Sequence, residues 1–125
     1  MKSIFSNSIR MTEKTLDFLW KRQEVISNNI ANDSTPGYKA KVLTFEDNLK
    51  RSLRTASRGP EGLGRAIDNL KMEIIDNNSG STRLDQNNVS LDAEFVEQAR
   101  TGLQYQYATR AVNDELMRLK SVIKG

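Results

Sequence analysis

The sequence predicts a mainly α fold: two long terminal helices pairing as an antiparallel coiled-coil hairpin, with a loop-rich middle containing short helix and strand fragments. Three observations carry that expectation. Apolar residues recur at alternating four- and three-residue spacings near the N-terminus, and the same alternation returns over the C-terminal segment. Between them the chain breaks at Pro36-Gly37 and turns polar. The expected division is an N-terminal heptad helix over 1–33 and a C-terminal heptad helix over 89–125, together one helical-hairpin domain. Residues 34–88 are then a turn, a short helix and a flexible polar middle.

Composition narrows the function. Hydrophobic residues make up 37% and aromatics 6% of the 125 residues, which suits paired helices better than a large globular core. The net charge of +3 is too small to argue for nucleic acid. The chain has no cysteine and no histidine, so disulfides, thiolate catalysis, Cys/His zinc sites and histidine acid–base schemes are excluded. No cofactor, metal or small-molecule substrate is expected. No apolar run approaches the ~20 residues of a transmembrane helix. The first ten residues lack the continuous apolar core of a cleaved secretion signal, so any export is expected to use another route.

The first helix carries its seam at Phe5, Ile9, Thr12, Leu16, Leu19, Gln23, Ile26 and Ile30. A second apolar stripe, Ile4, Met11, Phe18 and Val25, repeats every seven residues away from that seam, with Trp20 beside it. A helix apolar on more than one face is normally covered on more than one face, and one hairpin partner covers only one.

The helix must stop at Asn28-Asn29-Ile30-Ala31-Asn32-Asp33-Ser34-Thr35-Pro36-Gly37-Tyr38. Asn32 is suited to the left-handed conformation that ends many helices. Thr35 precedes proline and is pushed out of the α region. Pro36-Gly37 fit the central positions of a type II turn, where the second residue needs a positive φ. The Asn side chains are expected to bond backbone groups of the turn or of a neighbouring subunit.

Beyond the turn, Lys39 to Val42 alternate like an extended segment, and Leu43, Phe45, Leu49 and Leu53 suggest a brief amphipathic helix packing back on the hairpin. Gly59-Pro60-Glu61-Gly62-Leu63-Gly64 reads as flexible chain, since no Gly-Lys-Ser/Thr follows to make a phosphate loop. Leu70 to Ile75 suggest one short strand. Arg51, Arg54, Arg58 and Arg65 form a loose basic cluster without interleaved aromatics, which reads as solvated loop.

The last helix opens at Ser90, a good N-cap, with Asp92 and Glu94 in the first turn. Acids there favour the helix dipole, and that reading displaces one of catalytic carboxylates. Its seam runs Leu91, Phe95, Gln98, Gly102, Tyr105, Thr109, Val112, Leu116, Leu119 and Ile123, with shallow places at Gly102 and Thr109. Val96, Leu103 and Met117 form a second stripe, interrupted by Arg110.

The run Asn28-Asn29-Ile30-Ala31-Asn32-x-x-Thr35-Pro36-Gly37-Tyr38 after a heptad helix resembles the signature of the bacterial flagellar rod and hook axial protein family. A second signature, Asn87-Asn88-Val89-Ser90-Leu91-Asp92-Ala93-Glu94-Phe95, opens a C-terminal helix that carries Tyr105. Short length and Leu43-x-Phe45-Glu46-Asp47-x-Leu49 resemble the proximal-rod members. Gln86 stands where that family commonly has glycine, and Phe95 where methionine is usual.

The resemblance implies a non-catalytic structural subunit of the flagellar basal-body rod, polymerising helically through its terminal helices. It implies export by the flagellar type III pathway. The implied partners are the chain itself, other rod proteins, and the junction with the membrane ring and export gate. The two apolar patterns then divide the work. The seams, through Ile9, Leu16, Leu19, Ile26, Ile30, Phe95, Tyr105, Val112, Leu116 and Leu119, would make the hairpin. The stripes, through Ile4, Met11, Phe18, Val25, Val96, Leu103 and Met117, would make contacts between subunits, and free subunits are expected to be partly unfolded at their ends. The rival readings are another rod subunit, a cytoplasmic coiled-coil adaptor or export chaperone, and a nucleic-acid binder using the arginines.

Overall fold

The computed structural model describes residues 2–56, 58–78 and 83–125, with side chains from Ser6 onward. The elements run α1 (Lys2–Ala31), β1 (Lys41–Thr44), α2 (Glu46–Thr55), α3 (Pro60–Asp68), β2 (Glu73–Asp76) and α4 (Leu91–Lys124). The fold is mainly helical, and the long α4 packs on α1. Everything else gathers on another side of α1, which touches α3 and β1 as well as α4.

The chain stops α1 by two devices. Pro36 and Gly37 form the turn, with Gly37 at φ 74° and Tyr38 N–H donating to the Thr35 carbonyl at 3.2 Å. Asn32, expected in the left-handed region, is not among the positive-φ residues. Its side-chain amide instead donates back to the Asn28 carbonyl at 2.7 Å, beside the Asn32 N–H that donates to the same oxygen at 3.1 Å, so the last turn is closed without a left-handed residue. The Thr35 hydroxyl donates to Asn32 Oδ1 at 3.0 Å and closes this cap.

Four residues of β1 pair antiparallel with β2, in the register Lys41↔Asp76, Val42↔Ile75, Leu43↔Ile74 and Thr44↔Glu73. Leu43 points inward and is 2% exposed, while β2 is exposed throughout. Leu43 therefore belongs to the strand, and the short amphipathic helix begins only at Glu46.

Phe18 and Val25 do not face a neighbouring subunit. They are 3% and 7% exposed and form the core with Leu19, Leu43, Phe45 and Leu70. The Phe18 and Phe45 rings lie 4.8 Å apart at 43°, with the Arg22 guanidinium 4.9 Å from the Phe45 centroid. Met11 is partly buried against the same cluster. The side chain of Ile4 lies outside the described residues. The physical reason for the correction is that β1 and the start of α2 fold back over α1 and cover its second stripe from within the chain. Arg22 fastens that cover. It donates to the Leu43 carbonyl at 3.0 Å and to both Glu46 carboxylate oxygens at 2.7 and 2.8 Å. Burial pushes the Glu46 pKa up, but the Arg22 hydrogen bonds outweigh it and hold the carboxyl below its usual value.

The glycine-rich run is a helix rather than flexible chain. Pro60 occupies the first turn of α3, where its missing N–H costs nothing. Gly62 and Gly64 are buried, and a Cβ on Gly64 would come within 2.9 Å of Asn7 Oδ1 and 3.2 Å of Arg10 Nη1. Glycine serves close approach here. Asn7 donates to the Pro60 carbonyl at 2.7 Å, and Arg10 pairs with Asp68, so α3 is tied to α1 at two points.

Along the α1–α4 contact, Ser8 donates to Glu115, the Trp20 and Tyr105 rings lie 6.2 Å apart, and Gln23 donates to the Gln98 carbonyl at 3.3 Å. Leu19 and Ile26 are buried, while Ile9, Leu16, Ile30, Tyr105, Val112 and Leu119 are half-buried. Phe95 and Leu116, expected under the seam, are 51% and 48% exposed. Leu91 and Leu119 of the same seam, nearer the helix ends, are half-buried, so the seam is covered unevenly along α4. Gly102 sits opposite Gln23, whose Nε2 lies 3.7 Å from the position of an added Cβ.

Because Phe18 is core, Phe18→Ala should lower the free energy of unfolding by roughly 3–5 kcal/mol. Urea denaturation followed by circular dichroism measures it. A loss under about 1 kcal/mol would place the ring at the surface after all.

Candidate functional site

The side chains that organise the molecule are asparagines, and each replaces a peptide group that the backbone lacks. Asn87 is fully buried. Its amide nitrogen lies 2.8, 3.0 and 2.8 Å from the carbonyls of Asn32, Asp33 and Thr35, just beyond α1, adding a second donor to acceptors already engaged by Thr35 N–H, Arg83 and Tyr38 N–H. Its oxygen accepts Val89 N–H at 2.8 Å. Three acceptors on one side and a donor on the other fix which way the amide points. The start of α4 is thereby held against the end of α1.

Asn88 extends the sheet. Ala40 N–H donates to its Oδ1 at 2.7 Å, and its amide donates to the Asn77 carbonyl, while Asn77 N–H donates to the Ala40 carbonyl at 2.7 Å. The side chain stands in for one rung of the β1–β2 ladder. Asn29, 1% exposed, works on the other edge of β1. It donates to the Lys41 carbonyl at 2.8 Å, accepts Lys41 N–H at 2.9 Å, and accepts the Tyr38 hydroxyl at 3.2 Å. With Arg22 on Leu43, α1 closes that edge with side chains.

The turn is held from outside as well. Gly37 N–H donates to the Asp85 carbonyl at 2.7 Å, and Arg83 pairs with Asp33 at 3.1 Å. Between them Gln86 adopts φ 64°, the left-handed region that favours glycine. Ser90 caps α4 by accepting Ala93 N–H at 3.5 Å. In the same first turn, burial pushes the Glu94 pKa up, with Glu97 adding to the rise and Asn29 opposing it.

Asn29, Asn32, Thr35, Gly37 and Tyr38 are thus brought together with Asn87 and Asn88, while Asn28 contributes its carbonyl. Pro36 and Ala31 are exposed and Ile30 half-buried. The buried clamp made by Asn87 and Asn88 was not legible as such. An asparagine in a polar run gives no sign of burial until its acceptors, some fifty residues away, are known to be adjacent. Gln86 did leave a sign, in standing where glycine is usual.

A second feature lies on the side of α4 turned away from α1. Val96, Leu103, Tyr107 and Met117 are 64%, 58%, 71% and 69% exposed. At 100° per residue they share one face of the helix. No helix among the described residues is long and apolar enough to cross a membrane, and no cluster of acidic side chains among them could hold a metal.

Two substitutions test the clamp. Asn87→Asp keeps the shape but turns a donor into an acceptor among three carbonyls, so unfolding free energy should fall by roughly 2–4 kcal/mol. Gln86→Gly should raise it by roughly 1 kcal/mol by relieving the left-handed backbone. Both are read from urea midpoints; a neutral Asn87→Asp or a destabilised Gln86→Gly contradicts this geometry.

Residues 16–39 match the family described as flagella basal body rod protein. The chain is 34% identical to the flagellar basal body rod protein FlgB of Bacillus subtilis, over 98% of both chains. It is 26% identical to that of Salmonella typhimurium and 28% to that of Escherichia coli, each over 94% of both chains. The matched region holds the α1 seam from Leu16 onward and the capped turn, and the full-length similarity extends through the clamp to α4: the chain belongs to the flagellar basal body rod protein FlgB family.

Proposed function

We propose that α1 and α4 pair as an antiparallel coiled-coil hairpin and that the outer face of α4 is the surface through which subunits join. The chain is a structural subunit of the flagellar basal-body rod and assembles with other rod components. Pairing is antiparallel on this reading because contacts run in opposite senses: Ser8 meets Glu115, Trp20 meets Tyr105 and Gln23 meets Gln98. The hairpin would be set by the clamp at one end, which leaves residues 34–88 to brace α1.

The observation that carries the reading is the apolar face of Val96, Leu103, Tyr107 and Met117, large and exposed in the single chain. A helix apolar on two sides is stable in water only when both are covered. The first side is covered by α1. The Ile4, Met11, Phe18 and Val25 stripe has no part in this reading, because Phe18 and Val25 are already used. The partners are further copies of this chain, other rod subunits, and the junction with the membrane ring and export gate. The chain works by assembly and not by catalysis, its buried polar groups serving to brace backbone.

Leu103→Asp and Met117→Asp test it. Both sites are exposed, so stability should change by no more than about 0.5 kcal/mol. Bacteria carrying either variant as their sole copy should lose motility and basal-body rods. Swimming cells with intact rods would sink the assignment of this face.

A further inference from the structure

We propose that a groove between the N-terminal half of α1 and the α2–α3 pair is the acceptor for the outer face of α4 from a second copy of this chain. The inference rests on the reading of that face as a subunit contact. It adds where the face docks.

The groove has a volume of about 670 Å³. Its walls include Met11 from α1, Leu53 from α2, and Pro60, Leu63 and Ile67 from α3. Leu53 and Leu63 remain 47% and 36% exposed within it. It is an apolar cleft among three helices, of the kind that receives an amphipathic helix through anchors at i, i+3 and i+7.

Four observations choose a second copy as the occupant. Rod growth repeats one heterologous contact, in which a surface of each subunit meets a different surface of the next. The chain supplies an apolar ridge and an apolar cleft. The N-terminal half of α4 has the required spacing in Val96, Ala99 and Leu103, exposed on one face. Charge agrees at the start of that face: Asp92 opens it and Arg100 beside it is paired with Glu97, while Arg110 lies farther along the same face. Exposed Arg54 and Arg58 adjoin the groove residues Leu53, Ala56 and Gly59 in the chain. This gives the otherwise solvated arginines an electrostatic role. Position agrees as well. The groove wall at Ser8 lies level with Glu115 of its own α4, so ridge and cleft are about 20 Å apart along the helix axis. Copies stacked in parallel would repeat that offset and leave a ridge and a cleft open at opposite ends.

The absence of cysteine makes the contact testable by cross-linking. Leu63→Cys and Leu103→Cys are introduced together into the full chain, expressed as the sole copy. Isolated basal bodies are then oxidised mildly and run on a non-reducing gel. A reductant-sensitive ladder beyond the dimer is expected, with each single variant running as monomer. No ladder, or a dimer alone, from motile cells overturns the proposal. If those cells do not swim, charge exchange decides it. Arg58→Asp and Asp92→Arg should each cut rod yield several-fold and together restore it, and failure to restore overturns the proposal. The underlying reading fails separately, when Leu103→Asp cells swim with intact rods.

Discussion

A single buried amide, that of Asn87, faces the three carbonyls of the turn that ends α1, and the arrangement of both long helices follows from it. A helix terminus exposes acceptors that must find donors. Here the donor comes from the residue run that opens α4. Satisfying the end of one helix therefore fixes the start of the other. Asn29 and Asn88 apply the same chemistry to β1, each presenting a side-chain amide where a neighbouring strand would present a peptide. A two-stranded sheet this short is marginal alone, and the amides on both sides give it the partners it lacks.

The sheet in turn decides which part of α1 is available. Once β1 is held, Leu43 and Phe45 lie over Phe18 and Val25, and Arg22 seals the edge through Leu43 and Glu46. The N-terminal helix is thereby covered by its own chain on two sides. Apolar surface remains on α4 and in the cleft beside α3. The proposed assembly contacts lie there because the middle of the chain is used as packing.

Much of the fold was legible because it depends on local rules. The four-three spacing identifies both long helices, Thr35-Pro36-Gly37 dictates the turn, and Ser90 marks where α4 begins. Most expectations that failed involved a partner distant in sequence. Phe18 and Val25 form a stripe whose pattern says only that something covers it; β1 proved to be that cover. Gly62 and Gly64 look flexible until Asn7 and Arg10 are placed against them. Asn32 has the residue type of a left-handed cap, yet its side chain reaches the Asn28 carbonyl from an ordinary backbone. The asparagine clamp was visible only as a motif, since burial of a polar residue depends on what surrounds it.

The sequence by itself determined the two long helices, the Pro36-Gly37 turn and the Ser90 cap, the absence of thiol and imidazole chemistry, and the surplus of apolar helix surface. These follow from periodicity, backbone sterics and composition, which act over a few residues at a time. Only the tertiary structure decided which surplus was internal and which was left outward, because two apolar stripes of equal pattern are distinguished solely by whether another segment folds onto them. On α1 a strand and a helix do. On the outer face of α4 nothing among the described residues does, and Val96, Leu103, Tyr107 and Met117 remain exposed as the surface proposed to join neighbouring subunits.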